Sequence, residues 1–303
     1  MSSRTACVAM LLGGWSSSLS IGGIVGPGPS GHYYEVVQAP GITWSEANNN
    51  AVTSTSGCLQ GHLATITTLQ EDQYLYGLTK AIGECWVGGY QDPADELDAK
   101  KGWTWVNNEG PIAGINGGIT YANWQTVPWL LPEDPLYHEP NDWYGPGTEQ
   151  YLAISLRNEF GWNDEGSSGN VQGYVVEYED VEPPIVSCVP GTNPAGKNVP
   201  NAGKNQKSGQ NPDGFYELLA VDNCDPEPRI FVGDTASDFV TGPFQSGDKV
   251  KITQAPGVTP NSKAMAGVIV AHIQLKGDAQ VYAIDSSGNV SVTASCMVPP
   301  APK

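Results

Sequence analysis

The sequence predicts two domains of different class: an α+β domain over residues 31–180 and an all-β sandwich over 181–303, behind a leader over 1–30. Three observations carry this. Charge is uneven: residues 31–180 hold 4 Lys/Arg against 21 Asp/Glu, whereas 181–303 hold 9 against 11, within a total of −18. Tryptophan divides the same way, with eight of nine between Trp44 and Trp162 and none beyond. Hydrophobic periodicity alternates between helix-like and strand-like segments in the first part and is strand-like throughout the second. The 37 glycines and 24 prolines favour turn-rich β structure over a helical bundle.

The leader reads as a secretory segment: Arg4 precedes the apolar run Ala6–Leu12, and a small-residue stretch follows. Gly31–Val37 alternates as an opening strand. Trp44–Cys58 reads as a helix with Thr43 as N-cap and Glu46 three residues on, the spacing of a capping box. An extended segment, Gly61–Ile66, precedes a second helix, Thr68–Ile82, whose apolar face is Leu69, Tyr74, Leu75 and Leu78. Strands follow at Trp86–Gly89, Trp103–Val106, Tyr151–Leu156 and Gly173–Tyr178. The Pro-, Gly- and Asn-rich stretch between Val106 and Glu149 predicts one long loop, and loops of that length inside a domain are usually functional.

Glu182-Pro183-Pro184 is the expected linker. Beyond it, strands are predicted at Ile185–Val189, Phe215–Val221, Arg229–Val232, Lys249–Thr253, Met265–Gln274, Val281–Ile284 and Val290–Met297. Asp222-Asn223 and Asp285-Ser286-Ser287-Gly288-Asn289 read as turns rather than metal sites. The polar stretch Asn193–Asp213 reads as a mobile loop.

Composition excludes several functions. A net charge of −18 argues against a nucleic-acid backbone binder. No apolar run is long enough to predict a transmembrane segment. Apart from Cys7 in the leader there are Cys58, Cys85, Cys188, Cys224 and Cys296, with no Cys/His spacing of a zinc site. In an exported chain some pair as disulfides. Cys58–Cys85 is the natural pair in the first domain, and the connectivity of the other three is open. Gly191–Lys197 falls short of a phosphate loop because Asn198 replaces the Ser/Thr, and no Gly-x-Ser-x-Gly elbow occurs.

The long loop concentrates oxygen donors. Glu139, Asn141, Glu149, Asn163 and Asp164 offer carboxylate and amide oxygens, with Arg157 as the sole cation between Lys101 and residue 180. Such acids repel unless a hard cation joins them, and Ca²⁺ accepts six to eight oxygens. Pro140 fixes the backbone between two of the donors.

At these residues the chain resembles the C-type lectin-like domains, over about 31–180. Trp86-Val87-Gly88-Gly89 is similar to the family's central strand, Gly102-Trp103-Thr104-Trp105 and Tyr121-Ala122-Asn123-Trp124 to its tryptophan positions. Glu139-Pro140-Asn141 resembles its EPN sugar motif and Trp162-Asn163-Asp164 its WND motif. The resemblance implies a C-type lectin fold, with Glu139, Asn141, Glu149, Asn163 and Asp164 as ligands of one Ca²⁺ and as sugar contacts. It further implies glycans with vicinal equatorial hydroxyls, as in mannose, glucose and N-acetylglucosamine, or the similar pair of fucose. Trp143-Tyr144-Gly145 resembles the galactose-type branch, where an aromatic stacks on the sugar, which adds Trp143 to the contacts; plain loop packing is the alternative. An auxiliary metal would use Asp142 with Asp92 or Glu96.

The resemblance has gaps. Val176 and Tyr151 stand where the family carries cysteines, so the fold is left to a Cys58–Cys85 bond or to its tryptophan core. Residues 181–303 resemble HYR-type, Ig-like modules of extracellular proteins through Pro183–Cys188, Asp222-Asn223-Cys224 and Asp285–Asn289. The expectation is a secreted or cell-surface, calcium-dependent lectin, oligomeric for avidity and not an enzyme. A protein-recognition or adhesion module without sugar binding is the alternative. Glu139 and Glu149 could imitate a glycosidase dyad, but a carboxylate held by Ca²⁺ stays ionised and is a poor general acid.

Overall fold

A computed structural model describes residues 19–20, 23–113, 120–166, 170–191, 214–254 and 257–296. The apolar run Ala6–Leu12 and the stretch Asn193–Asp213 lie outside these residues. The chain forms two compact units, 1–56 with 60–179, and 57–59 with 180–303.

In the first unit the strands are β1 (Leu19–Ser20), β2 (Tyr33–Gln38), β3 (Thr55–Ser56), β4 (Leu59–Leu63), β5 (Cys85–Gln91), β6 (Trp103–Trp105), β7 (Tyr151–Ile154), β8 (Trp162–Glu165) and β9 (Gly173–Glu179). The helices are α1 (Trp44–Thr53) and α2 (Leu69–Thr79). The sheet runs β1-β2-β9-β5-β7-β8, with β4 on β9 and β6 on β5. Within the segment read as leader, β1 pairs with Val37–Gln38, and Val25 bridges to Tyr34.

α1 starts as predicted. Thr43 Oγ1 accepts the N–H of Glu46 (3.3 Å) and Glu46 Oε2 accepts that of Thr43 (3.1 Å), a complete capping box. It ends at Thr53, five residues before Cys58, because Ser54 turns its N–H and hydroxyl back onto the Ala51 carbonyl and leaves the chain extended. α2 has only half a box: Thr68 caps Glu71, but the Glu71 carboxylate turns to Thr67 and Tyr34. Leu69, assigned to its apolar face, is exposed, whereas Leu75 is fully buried.

Aromatic rings fill the interior. Trp44 stacks on Tyr151 at 4.7 Å, so a ring occupies a position where the resemblance led us to expect a cysteine. Trp103, Trp105, Trp124 and Tyr121 meet one another or Trp162 edge-on at 5.0–5.8 Å. Cys85 is not bonded to Cys58. It is a free thiol buried in the core, pushed up to about 12 by burial and the nearby Glu84, and therefore unreactive. Cys58 sits in a turn whose three residues cluster with the second unit, and it bonds to Cys224.

The second unit has two sheets. One runs β10-β11-β14-β16-β15 (Ile185–Pro190, Phe215–Val221, Lys249–Gln254, Ile269–Leu275, Asn261–Ala264). The other runs β13-β12-β17-β18 (Val240–Phe244, Arg229–Asp234, Ala279–Ile284, Ala294–Cys296). Inward residues of both, such as Leu218, Ile252 and Ile273 facing Ile230 and Val281, form one core, the arrangement of a sandwich. Cys188–Cys296 closes a second disulfide.

Candidate functional site

The site is built on the β7–β8 hairpin, which pairs Leu152 with Asp164 and Ala153 with Asn163. Glu149 stands just before β7. The long loop joins β8 as an added layer: Gln125 N–H donates to the Trp162 carbonyl (2.9 Å), Trp162 N–H to that of Asn123 (2.8 Å), and Glu139 N–H to that of Gln125 (3.0 Å). Asp72 on α2 anchors this layer by accepting from Tyr121 Oη (2.7 Å), Asn123 Nδ2 (2.7 Å) and Trp162 Nε1 (3.1 Å).

Hydrogen bonds and charge link Glu139, Asn141, Glu149 and Asp164, and Asn163 precedes Asp164 on β8. The Glu139–Pro140 peptide is cis. Asp164 accepts the N–H of Asn141 on both oxygens (2.9 and 2.8 Å) and of Asp142 (2.8 Å), which draws the turn onto β8. Glu149 Oε2 accepts the Trp143 N–H (2.6 Å). Each amide is anchored through its nitrogen, Asn141 Nδ2 to the Leu136 carbonyl (3.0 Å) and Asn163 Nδ2 to Glu84 (3.0 Å). All five side chains are buried, yet Glu139 Oε2 and Asn141 Oδ1 have no hydrogen-bond partner.

The electrostatics match. Burial, then the Asp164 charge, raises Glu139 far above the usual carboxylate range; burial also raises its partner Asp164. Glu149 is pushed up to about 8 by burial and by Asp164. Unpartnered buried acceptors cost about 1–3 kcal/mol each, so an all-oxygen donor set of this kind fits a hard divalent cation. The carboxylates of Glu139, Glu149 and Asp164 do not form a trio within 4.8 Å; among the described residues only Asp180, Asp222 and Asp285 do. Oxygens on opposite sides of Ca²⁺ stand about 4.6–5.2 Å apart, so a ring completed by amides is not required to be that tight.

The three residues named for an auxiliary metal each have other partners. Asp142 spends its carboxylate on the N–H groups of Gly147 (3.0 Å), Thr148 (3.2 Å) and Glu149 (3.0 Å). Asp92 accepts from Ala94 N–H (2.9 Å), and Glu96 lines a separate cleft with Trp44, Tyr90 and Tyr151. Sequence reasoning missed Lys100, whose ammonium donates to the carbonyls of His138 (2.6 Å) and Pro140. Burial lowers its pKa, against the pull of Asp164 and Glu139. A lysine some forty positions upstream of the motif gives no local signal of this role. Trp143 is 40% exposed, edge-on to exposed Trp129 at 6.4 Å.

No family model matches the chain. A stretch of 155 residues, 49% of the chain, is 31% identical to Halomucin of Haloquadratum walsbyi, of which it spans 1%. Among solved structures the chain is similar to the C-type lectin CEL-I from Cucumaria echinata, at 16% identity and TM-score 0.38 over 52% of this chain and 96% of that one. It is also similar to the mouse scavenger receptor C-type lectin carbohydrate-recognition domain (17%, TM-score 0.33, 48% and 88%). A calcium-independent type II antifreeze protein is alike to the same degree (20%, TM-score 0.33, 53% and 95%).

Proposed function

We propose that residues 31–180 form a calcium-dependent carbohydrate-binding domain of C-type lectin type. The observation that carries this reading is the pair of buried, partnerless oxygens, Glu139 Oε2 and Asn141 Oδ1, amid three carboxylates of raised pKa. Glu139, Asn141, Glu149, Asn163 and Asp164 would hold the ion. When bound, Ca²⁺ supplies a Lewis-acidic centre to which a vicinal diol coordinates. Glu139 and Glu149 accept hydrogen bonds from the hydroxyls, and Asn141 and Asn163 donate with the amide hydrogen that their anchors leave over. Leu136 and Glu84 fix the rotation of those two amides, and Lys100 clamps the backbone on either side of Glu139. Exposed Trp143 offers a face for the sugar's apolar side.

The Glu139-Pro140-Asn141 order favours equatorial 3- and 4-hydroxyls: mannose, glucose and N-acetylglucosamine, with fucose by a similar pair. For one monosaccharide the net free energy is about −4 kcal/mol, millimolar affinity, so the protein needs clustered sites or polyvalent glycans. Secretion fits the Cys58–Cys224 and Cys188–Cys296 bonds. No helix among the described residues is long and apolar enough to cross a membrane. The chain is proposed to act by binding, without catalysis.

The test is a glycan array with and without calcium. Glu139→Gln with Asn141→Asp shifts preference toward galactose on this reading. A second reading, protein recognition without sugar, draws on exposed Trp129, Trp143 and Tyr144; a silent array with intact calcium binding favours it.

A further inference from the structure

The second unit holds an acidic cluster that the sugar-binding proposal leaves unused. Asp180, Asp222 and Asp285 each place a carboxylate oxygen within 4.8 Å of the others. Each also builds a turn with one oxygen. Asp222 Oδ1 accepts the N–H groups of Cys224 (2.8 Å) and Asp225 (2.7 Å), Asp285 Oδ1 that of Asn289 (2.8 Å), and Asp180 Oδ1 that of Glu182 (3.1 Å). The turns read from the sequence at 222–224 and 285–289 therefore account for one oxygen of each motif and no more.

The second oxygen is left over three times. Oδ2 of Asp180, of Asp222 and of Asp285 is buried without a hydrogen-bond partner. Asp285 is 0% exposed and Asp180 6%. No ion pair among the described residues involves any of the three. Burial and the neighbouring charges of Asp222 and Asp285 raise the pKa of Asp180. Three turns converge here, and Asn289 Nδ2 already ties the 285–289 turn to the Asp180 carbonyl (2.7 Å). Hydrogen bonds within the protein leave the three Oδ2 atoms unsatisfied, and a hard cation coordinated by oxygen would satisfy them together.

We propose that Asp180, Asp222 and Asp285 bind one Ca²⁺ that fastens the first residue of the second unit to its 222–225 and 285–289 turns. Three carboxylates leave the remaining positions to carbonyls or water, which suits the flexible coordination of Ca²⁺ better than the strict octahedron of Mg²⁺. The site is independent of the one proposed for sugar.

The experiment counts calcium on the full chain by equilibrium dialysis at millimolar calcium, with Glu139→Gln and Glu149→Gln present to silence the other site. One ion per chain is expected to remain, to disappear with Asp285→Asn or Asp222→Asn, and to resist a tenfold excess of magnesium. Thermal unfolding supplies the second readout. Calcium raises the melting temperature of the parent, while Asp285→Asn melts higher than the parent in chelator, through relief of repulsion, and no longer responds to calcium. No bound ion in the parent, displacement by magnesium, or equal destabilisation by Asp285→Asn with and without calcium overturns the proposal. Failure of sugar binding leaves the count unchanged, so the two proposals fail separately.

Discussion

The first unit contains two buried clusters of acids, and they are built in opposite ways. Around Glu177 each carboxylate oxygen has a protein donor. His32 Nδ1 (2.6 Å) and Tyr34 Oη (3.1 Å) reach one oxygen, Thr65 N–H (2.8 Å) and Oγ1 (3.2 Å) the other, and Thr67 and Tyr34 serve Glu71. Around Glu139 the protein supplies backbone donors to Asp164 and Asp142 but leaves Glu139 Oε2 and Asn141 Oδ1 bare. A buried acid alone therefore says little. An acid cluster whose geometry is fixed by some of its oxygens, with others left without a protein donor, is what the proposed ion would complete.

Substitutions separate the two kinds. Glu177→Ala strands the Thr65 amide in the core and takes the carboxylate partner from His32, and is expected to cost about 3–5 kcal/mol of stability, with or without calcium, by chemical denaturation. Glu139→Gln is expected to leave calcium-free stability flat or raised while weakening calcium-dependent retention on mannose by about 100-fold or more, beyond what loss of an outer-shell contact costs. If both variants destabilise alike, the contrast between the clusters is wrong.

Protonation separates them further. His62 is buried, which opposes its charge, but its bonds to Glu179 (3.1 Å) and the nearby Glu177 prevail and lift it to about 9. The folded state thus holds a proton the unfolded chain releases near 6.5. The stabilisation, about 3 kcal/mol at most, is complete below that pH and is lost as pH rises through about 9. His62→Gln should flatten stability over that window. At the loop site the raised carboxylates imply the reverse coupling to a ligand. Glu149, lifted to about 8, is protonated at pH 7 without calcium, so each ion bound should release about one proton or more. Calorimetry in buffers of different ionisation enthalpy measures this, and no release contradicts it. The smallest effect is expected of Lys100→Met, about 1 kcal/mol in calcium affinity through loss of the carbonyl clamp.

Local chemistry made much of this legible in the sequence. Thr43 and Glu46 announced α1, and alternation located most strands of the second unit. β13 and β15 were missed because both lie at sheet edges: Val240–Phe244 contains Gly242-Pro243, and Asn261–Ala264 is exposed throughout, so neither shows apolar alternation. The five candidate donors stand out in the sequence as a motif set, but the contacts of Lys100, Asp72 and Glu84 do not, since they reach 38–90 residues away. The Cys58–Cys224 bond, across 166 residues, lay beyond any spacing argument.

The most direct measurement is retention of the full chain on immobilised mannose in millimolar calcium, followed by elution with chelator and, separately, with free mannose. The account predicts retention that either agent abolishes and that Glu139→Gln prevents. A chain that fails to bind with calcium present, or stays bound through both washes, contradicts it.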